Sequence, residues 1–292
     1  MTWIVFALLS AVFVSLRHLY IKKYCAAVPS DVLIFITRLF GAFLYLPFLL
    51  LHPIHLNPAH TFWGVLVLTV VVTAGATIVQ VRVIQKAEIS LSVPFLSLIP
   101  LLMIPMSMLI LKQHPPLLAW LGLVLGSLGA WMIQRTGQSA TVHFRQIPAG
   151  VTLLMLGVAL ALALTTTCDK IAIDASSALV YAGFWTIVSA GFMFLISLRH
   201  SVGQIRAAIK NRHTLIQAGF WAVAFAAQML AVQKVSVESG VVYVKMLTML
   251  HILMSVLVGG FHFKEKQMVK RLVGAGLMVI GAGVTVWMGS LG

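Results

Sequence analysis

Lys245 stands inside a long apolar run, VVYVKMLTMLHILM, where a buried ammonium would take a carboxylate or phosphate as its partner. Thr248 and His251 follow it at spacings of three, so on a helix the three side chains form one stripe. That stripe reads as the wall of a binding cavity: a cation for an anionic group, a hydroxyl, and an imidazole that titrates near neutral pH. The competing reading is a lysine whose stem snorkels to an interface. Tyr243 lies off the stripe and adds a phenol, Ser97 a hydroxyl, and Gln80 and Gln228 add two amides at matching places in the two halves of the chain. Arg38 also lies within an apolar run, whereas Arg17, His18 and Arg82 sit near the charged ends of theirs and read as interfacial anchors.

Other chemistry is poorly supplied. The chain has six acidic residues, Asp31, Glu88, Asp169, Asp174, Glu238 and Glu265, and all fall near the ends of apolar runs. Paired carboxylates or a Ser/His/Asp set at depth are therefore not expected, and neither is an enzyme. His52, His55 and His60 share one polar connector with no carboxylate or cysteine beside them, and Cys25 and Cys168 lack metal or redox spacing, so no metal site is expected. No phosphate-cradling glycine loop occurs, and no cofactor is implied. The absence of a buried carboxylate also argues against a protein that trades protons for organic cations.

The positioning elements follow from composition. Of 292 residues, 61% are hydrophobic and 9% charged. A soluble domain carries about 25% charged residues. Apolar runs of about 20 residues recur along the chain, each long enough to cross a hydrocarbon core of about 30 Å. The expected spans are 2–21, 31–51, 62–81, 90–111, 117–134, 149–168, 178–198, 214–233, 239–260 and 269–288. They should be helices, because lipid offers the backbone no hydrogen-bond partner, and their continuity excludes the alternation of a β-barrel. The first run lacks a basic start and a small-residue cleavage site, so it reads as a retained helix. The net charge of +14 sits at run ends, which points to lipid headgroups and membrane topology, with nucleic acid excluded as a partner.

The two halves look related. Lys112, Gln113, Gly122, Gly129 and Ala130 align with Lys264, Glu265, Gly274, Gly281 and Ala282 at one offset. This divides the chain into a first five-helix repeat over 1–137, a connector over 138–148 and a second repeat over 149–292. Five is odd, so the second repeat is inverted in the bilayer, an arrangement that suits secondary transporters with a shared central site. Connectors after the odd-numbered spans, together with Arg17, Lys270 and Arg271 at the adjoining span ends, hold 15 basic residues against three for the others and the tails, which places both termini outside the cytoplasm. Small-residue faces at Gly122 and Gly129 and at Gly274 and Gly281 suit close helix packing. Pro94, Pro100 and Pro105 supply kinks in the fourth span.

The chain resembles the drug/metabolite transporter superfamily, in particular its ten-helix EamA-type members. The resemblance rests on Arg38 with Gly41 and Ala42, Pro100 ahead of Lys112-Gln113, the glycine helix with Gly122 and Gly129, and the repeated ending Glu265, Gly274 and Gly281. Gln113 stands where the family usually has glutamate, Thr248 where it often has proline, and the charge bias opposes the family's common orientation. The resemblance implies an all-α polytopic protein of a bacterial-type inner membrane, with Arg38 structural or gating near a cavity mouth. The expected function is secondary transport, by alternating access, of a small anionic or zwitterionic metabolite such as an amino acid, organic acid or phosphorylated compound. The alternatives are a proton-coupled exporter of drugs or organic cations, and a lipid-linked flippase or membrane enzyme. The oligomeric state stays open.

Overall fold

The computed structural model describes residues 2–25, 28–51, 53–86, 93–136, 149–236, 240–254 and 268–290. Among the described residues every regular element is helical. In chain order these are α1 Thr2–Tyr24, α2 Ser30–Leu51, α3 Ala59–Lys86, a 3-10 segment Val93–Leu98, α4 Ile99–Ile110, α5 Leu117–Thr136, α6 Ala149–Asp174, α7 Ala178–Ser197, α8 Val202–Lys210, α9 Arg212–Lys234, α10 Gly240–Thr248 and α11 Met268–Ser290. Among the described residues five stretches are long and apolar enough to cross a membrane, within α2, α3, α6, α7 and α9. Five shorter apolar helices occupy the other five expected spans. Leu50, Leu51, Leu109, Leu117 and Leu153 are each more than 70% exposed, an outward apolar surface that suits lipid and not water.

Four local departures from the sequence reading have physical causes. First, α6 does not stop at 168 but runs to Asp174. Its polar end is satisfied in place: Lys170 pairs with Asp174 at 2.8 Å one turn on, and also donates to the Val232 carbonyl at 3.3 Å. Asp169 therefore lies inside the helix and not at its end, which corrects the placement of that acid. Second, the connector over 199–213 contains a helix, α8, started by a reciprocal cap in which the Ser201 hydroxyl and the Gln204 side chain each bond the other's backbone N–H. Third, the fourth span opens as a 3-10 segment before α4. Pro100, at the start of α4, costs that helix nothing, because the first turn needs no N–H there. Fourth, α10 ends at Thr248, turns at Met249 and Leu250, and resumes over 251–254.

The chain forms two compact units, each drawing on both sequence halves. One comprises 75–167 and 235–292. Within it α5 packs along α11, and α10 packs against α4 and α11. Gly281 meets the backbone of Gly122 and Gly126, and Gly129 meets the Gly274 carbonyl and Met278, so these helices touch through bare backbone. The other unit comprises 2–74 and 168–234. There α1 packs along α9, and α2 packs against both α7 and α9. Val32, Phe35, Ile36 and Met193 form its core at one end, and α8 adds Ala208 to that cluster.

Candidate functional site

The unit built from 2–74 and 168–234 holds a cluster of basic, amide and aromatic side chains within its spans. On α2, Arg38, Gly41 and Tyr45 recur at three and four residues and share a face. That face receives Trp185 from α7 and Trp221 and Phe225 from α9. The Arg38 guanidinium carbon lies 4.0 Å from the Trp221 ring centroid and 4.6 Å from that of Trp185. A cation over an aromatic face away from water gains about 2 kcal/mol. Trp221 in turn stacks on Phe225, with centroids 4.9 Å apart and planes 16° apart.

Gly41 makes this approach possible. A Cβ there would stand 2.9 Å from Cζ3 of Trp221 and 3.4 Å from Cγ2 of Thr186. Tyr45, one turn further along, donates its hydroxyl to the Ala222 carbonyl at 2.5 Å and fixes α2 to α9 beside Trp221.

A second basic group closes the cluster. Arg17 of α1 donates through Nε to Oε1 of Gln217 at 3.3 Å. Gln217 is fully buried and donates through Nε2 to the Thr37 hydroxyl at 2.8 Å, which donates to the Leu33 carbonyl at 2.7 Å. Arginine can only donate, so the amide orientation is fixed: oxygen toward α1, nitrogen toward α2. Arg17 is near enough to Arg38 for their charges to repel. Arg17 is therefore no mere interfacial anchor, since it is held by a buried amide.

No carboxylate among the described residues offsets these two charges. Asp31 pairs with His200 at 2.6 Å, Asp174 with Lys170, and Asp169 accepts from Tyr181. Arg38 Nε and Nη1 are buried with no hydrogen-bond partner. Burying a donor without a partner costs about 1–3 kcal/mol, and more for a charged group. A bound anion would satisfy both nitrogens and neutralise the repulsion between the arginines.

The residues singled out from the sequence are distributed as follows. Lys245 is half-buried in the last turn of α10. Thr248 donates to the Lys245 carbonyl at 2.8 Å, and Nδ1 of His251 lies 2.7 Å from the Thr248 carbonyl. A carbonyl only accepts, so that ring nitrogen carries the hydrogen. The three thus stand together at the interruption of the ninth span, where the Ile252 N–H has moved to the Met249 carbonyl and left that of Thr248 to the imidazole. Tyr243 and Ser97 are buried in the same unit. Gln228 is half-buried on α9 and, like Arg38, belongs to the other unit. Pro100 is buried and Pro105 is exposed. The side chains of Gln80 and Pro94, and the whole of Glu88, Glu238 and Glu265, lie outside the described residues.

Trp185, Trp221, Phe225 and Gln217 escaped the sequence reading because aromatics in apolar spans look like ordinary core. One signal was present: Trp221 and Phe225 are four apart on a span facing one that carries an unmatched arginine.

The helices and their lipid-facing leucines define a polytopic membrane protein that keeps charged groups inside its spans. Residues 1–135 match the EamA-like transporter family. A solved structure titled "Crystal structure of protein" has the same fold, with a TM-score of 0.76 at 16% identity, covering 99% of this chain and 98% of that one. No curated protein matches. The family match covers under half of the chain and the likeness at 16% identity shows the fold, so the chain is a multi-pass membrane protein whose first part is similar to a transporter family.

Proposed function

We propose that the chain is a secondary transporter for a small anionic or zwitterionic metabolite, and that Arg38, with Arg17 behind it, holds the carboxylate or phosphate of that substrate. One observation carries the reading: two buried guanidinium nitrogens of Arg38 have no partner in a cluster where the described acids are all engaged elsewhere. Trp185 and Trp221 orient the guanidinium and exclude water from its faces. Lys245, in the other unit, is a second cationic group able to serve the same substrate class. Amino acids, organic acids and phosphorylated compounds all present the required oxygens.

The test is thermal stability of the purified protein with a panel of amino acids, organic acids, sugar phosphates and organic cations. A ligand at about 100 times its dissociation constant stabilises by about 2.7 kcal/mol. The expected result is stabilisation by one anionic or zwitterionic class, abolished in Arg38→Met and reduced in Arg38→Lys. Stabilisation by cations alone, or an equal response in Arg38→Met, overturns the assignment.

A further inference from the structure

We propose that the cluster around Arg38 takes a dianion, a small molecule carrying two negative charges as a dicarboxylate or a phosphate monoester, and that Arg17 selects it over monoanions and zwitterions; the inference rests on the anion-binding reading above and narrows it. One neutral amide holds the two arginines in place. Gln217 accepts from Arg17 Nε at 3.3 Å and donates to the Thr37 hydroxyl at 2.8 Å. Thr37 is the residue before Arg38, so the side chain that holds the first arginine also ties down the stretch of α2 that carries the second. The ionisable groups that act on Arg38 are Arg17 and the Tyr45 phenol, and neither is an anion at neutral pH.

An arginine cannot shed its proton to relieve this repulsion. Relief has to come from an anion, and position 217 does not supply one. A glutamate there would accept the same bond from Arg17 and cancel one charge, but the residue is an amide. Two positive charges are left for a ligand to balance away from bulk water, where an unpaired charge is costly.

That balance separates the candidate ligands. A monoanion leaves one arginine uncompensated. A zwitterion leaves both, because its own charges cancel, and its ammonium has no acid in the cluster to pair with among the described residues. The indole faces that could receive an ammonium are already covered. The Arg38 guanidinium carbon lies 4.0 Å from the Trp221 centroid and 4.6 Å from that of Trp185, and Phe225 stacks on Trp221. A dianion neutralises both arginines and brings oxygens for Nε and Nη1 of Arg38, which are buried without a partner.

The test compares ligands of similar size and different charge, through dissociation constants read from thermal stabilisation of the purified full chain. Succinate is paired with its monoamide, and glycerol 3-phosphate with its methyl diester, at about pH 8, where a phosphate monoester carries close to two charges. Alanine stands for the zwitterions. The expected result is one dianion binding about tenfold tighter than its monoanionic counterpart, with alanine weaker than both. The pair that responds tells a dicarboxylate site from a phosphate site. Equal affinities within a pair that binds, or alanine binding tightest, overturns the dianion and leaves the anion site standing. If no probe binds, or if Arg38→Met binds them as the native protein does, the anion site itself fails and the dianion with it.

Gln217→Glu then supplies the missing negative charge while keeping an acceptor for Arg17. In this variant the monoanion is expected to bind at least as tightly as its dianionic counterpart. Arg17→Gln should erase the preference in the same way, and Arg17→Lys, which keeps the charge, should retain it; this second comparison decides the matter if Gln217→Glu does not fold. A merely structural role for Arg17 would weaken every probe together and leave the ratio within each pair unchanged. An unchanged ratio in Gln217→Glu or in Arg17→Gln overturns the selection by Arg17.

Discussion

Replacing Gly41 with alanine tests whether a missing side chain is what lets Trp221 reach Arg38. The new Cβ would stand 2.9 Å from Trp221 Cζ3, whereas two carbons settle at about 3.5–4.0 Å. The indole must therefore retreat by about 0.6 Å or more. It cannot do so freely, because its face is stacked on Phe225 at 4.9 Å and its helix is held by Tyr45 through the Ala222 carbonyl. Overpacking of this kind costs about 1–3 kcal/mol, set against a gain of about 1 kcal/mol from alanine's better helix propensity. Gly219→Ala on α9 is the control, since its Cβ meets only Phe40 Cε1 at an ordinary 3.8 Å. Unfolding midpoints in detergent should fall for Gly41→Ala and hold or rise for Gly219→Ala. Trp221→Phe removes the offending atom, so the pair Gly41→Ala/Trp221→Phe should lose less stability than the two single changes summed, with a coupling of about 1 kcal/mol or more. Equal midpoints for the two alanine variants, or additive losses in the double variant, would refute the argument.

Other outcomes follow from the same geometry. Gly281→Ala drives a Cβ into the backbone of Gly122 and Gly126, whereas Gly283→Ala on the same helix meets nothing within 4 Å. Detergent unfolding should separate the two by about 2 kcal/mol, with propensity cancelling between them. Gln217→Leu strands Arg17 Nε and should lower the unfolding midpoint more than Tyr45→Phe, which loses one membrane hydrogen bond worth about 0.6 kcal/mol. Asp31→Asn should change stability by less than about 1 kcal/mol, because both partners of that ion pair are partly solvated. Burial raises the Cys25 thiol above its ordinary value, so less of it is thiolate at neutral pH. Its alkylation in the folded protein should be slow, and should accelerate only at a higher pH than a free thiol needs.

Much of this architecture was readable from hydrophobic run length alone, since lipid imposes the helical form on any such run. Helix ends were less so. Asp169 and Lys170 looked like the polar edge of a span, and only the partners supplied by Tyr181, Asp174 and Val232 show why the helix continues past them. The spacing of Lys245, Thr248 and His251 is local and could be read, but the turn at Met249 and Leu250 that parts His251 from the helix of the other two was not signalled. The cluster around Arg38 was not readable, because its members come from α1, α2, α7 and α9, and nothing in a single span announces which distant span will face it. Arg38 itself carried the hint, as a charge in an apolar run must find its complement somewhere.

The buried amide of Gln217 also sets a timetable for biogenesis. Arg17 and its acceptor are 200 residues apart. At about 5–20 residues per second, a nascent chain waits roughly 10–40 s between synthesising the two. Through that interval the first two helices hold Arg17 and Arg38 in the membrane with neither amide nor indoles to receive them. A truncated product ending before α7 would carry the same uncovered charges permanently. Quality-control proteases that sense exposed charge within the bilayer would then have a ready mark for incomplete chains, erased only when α9 arrives.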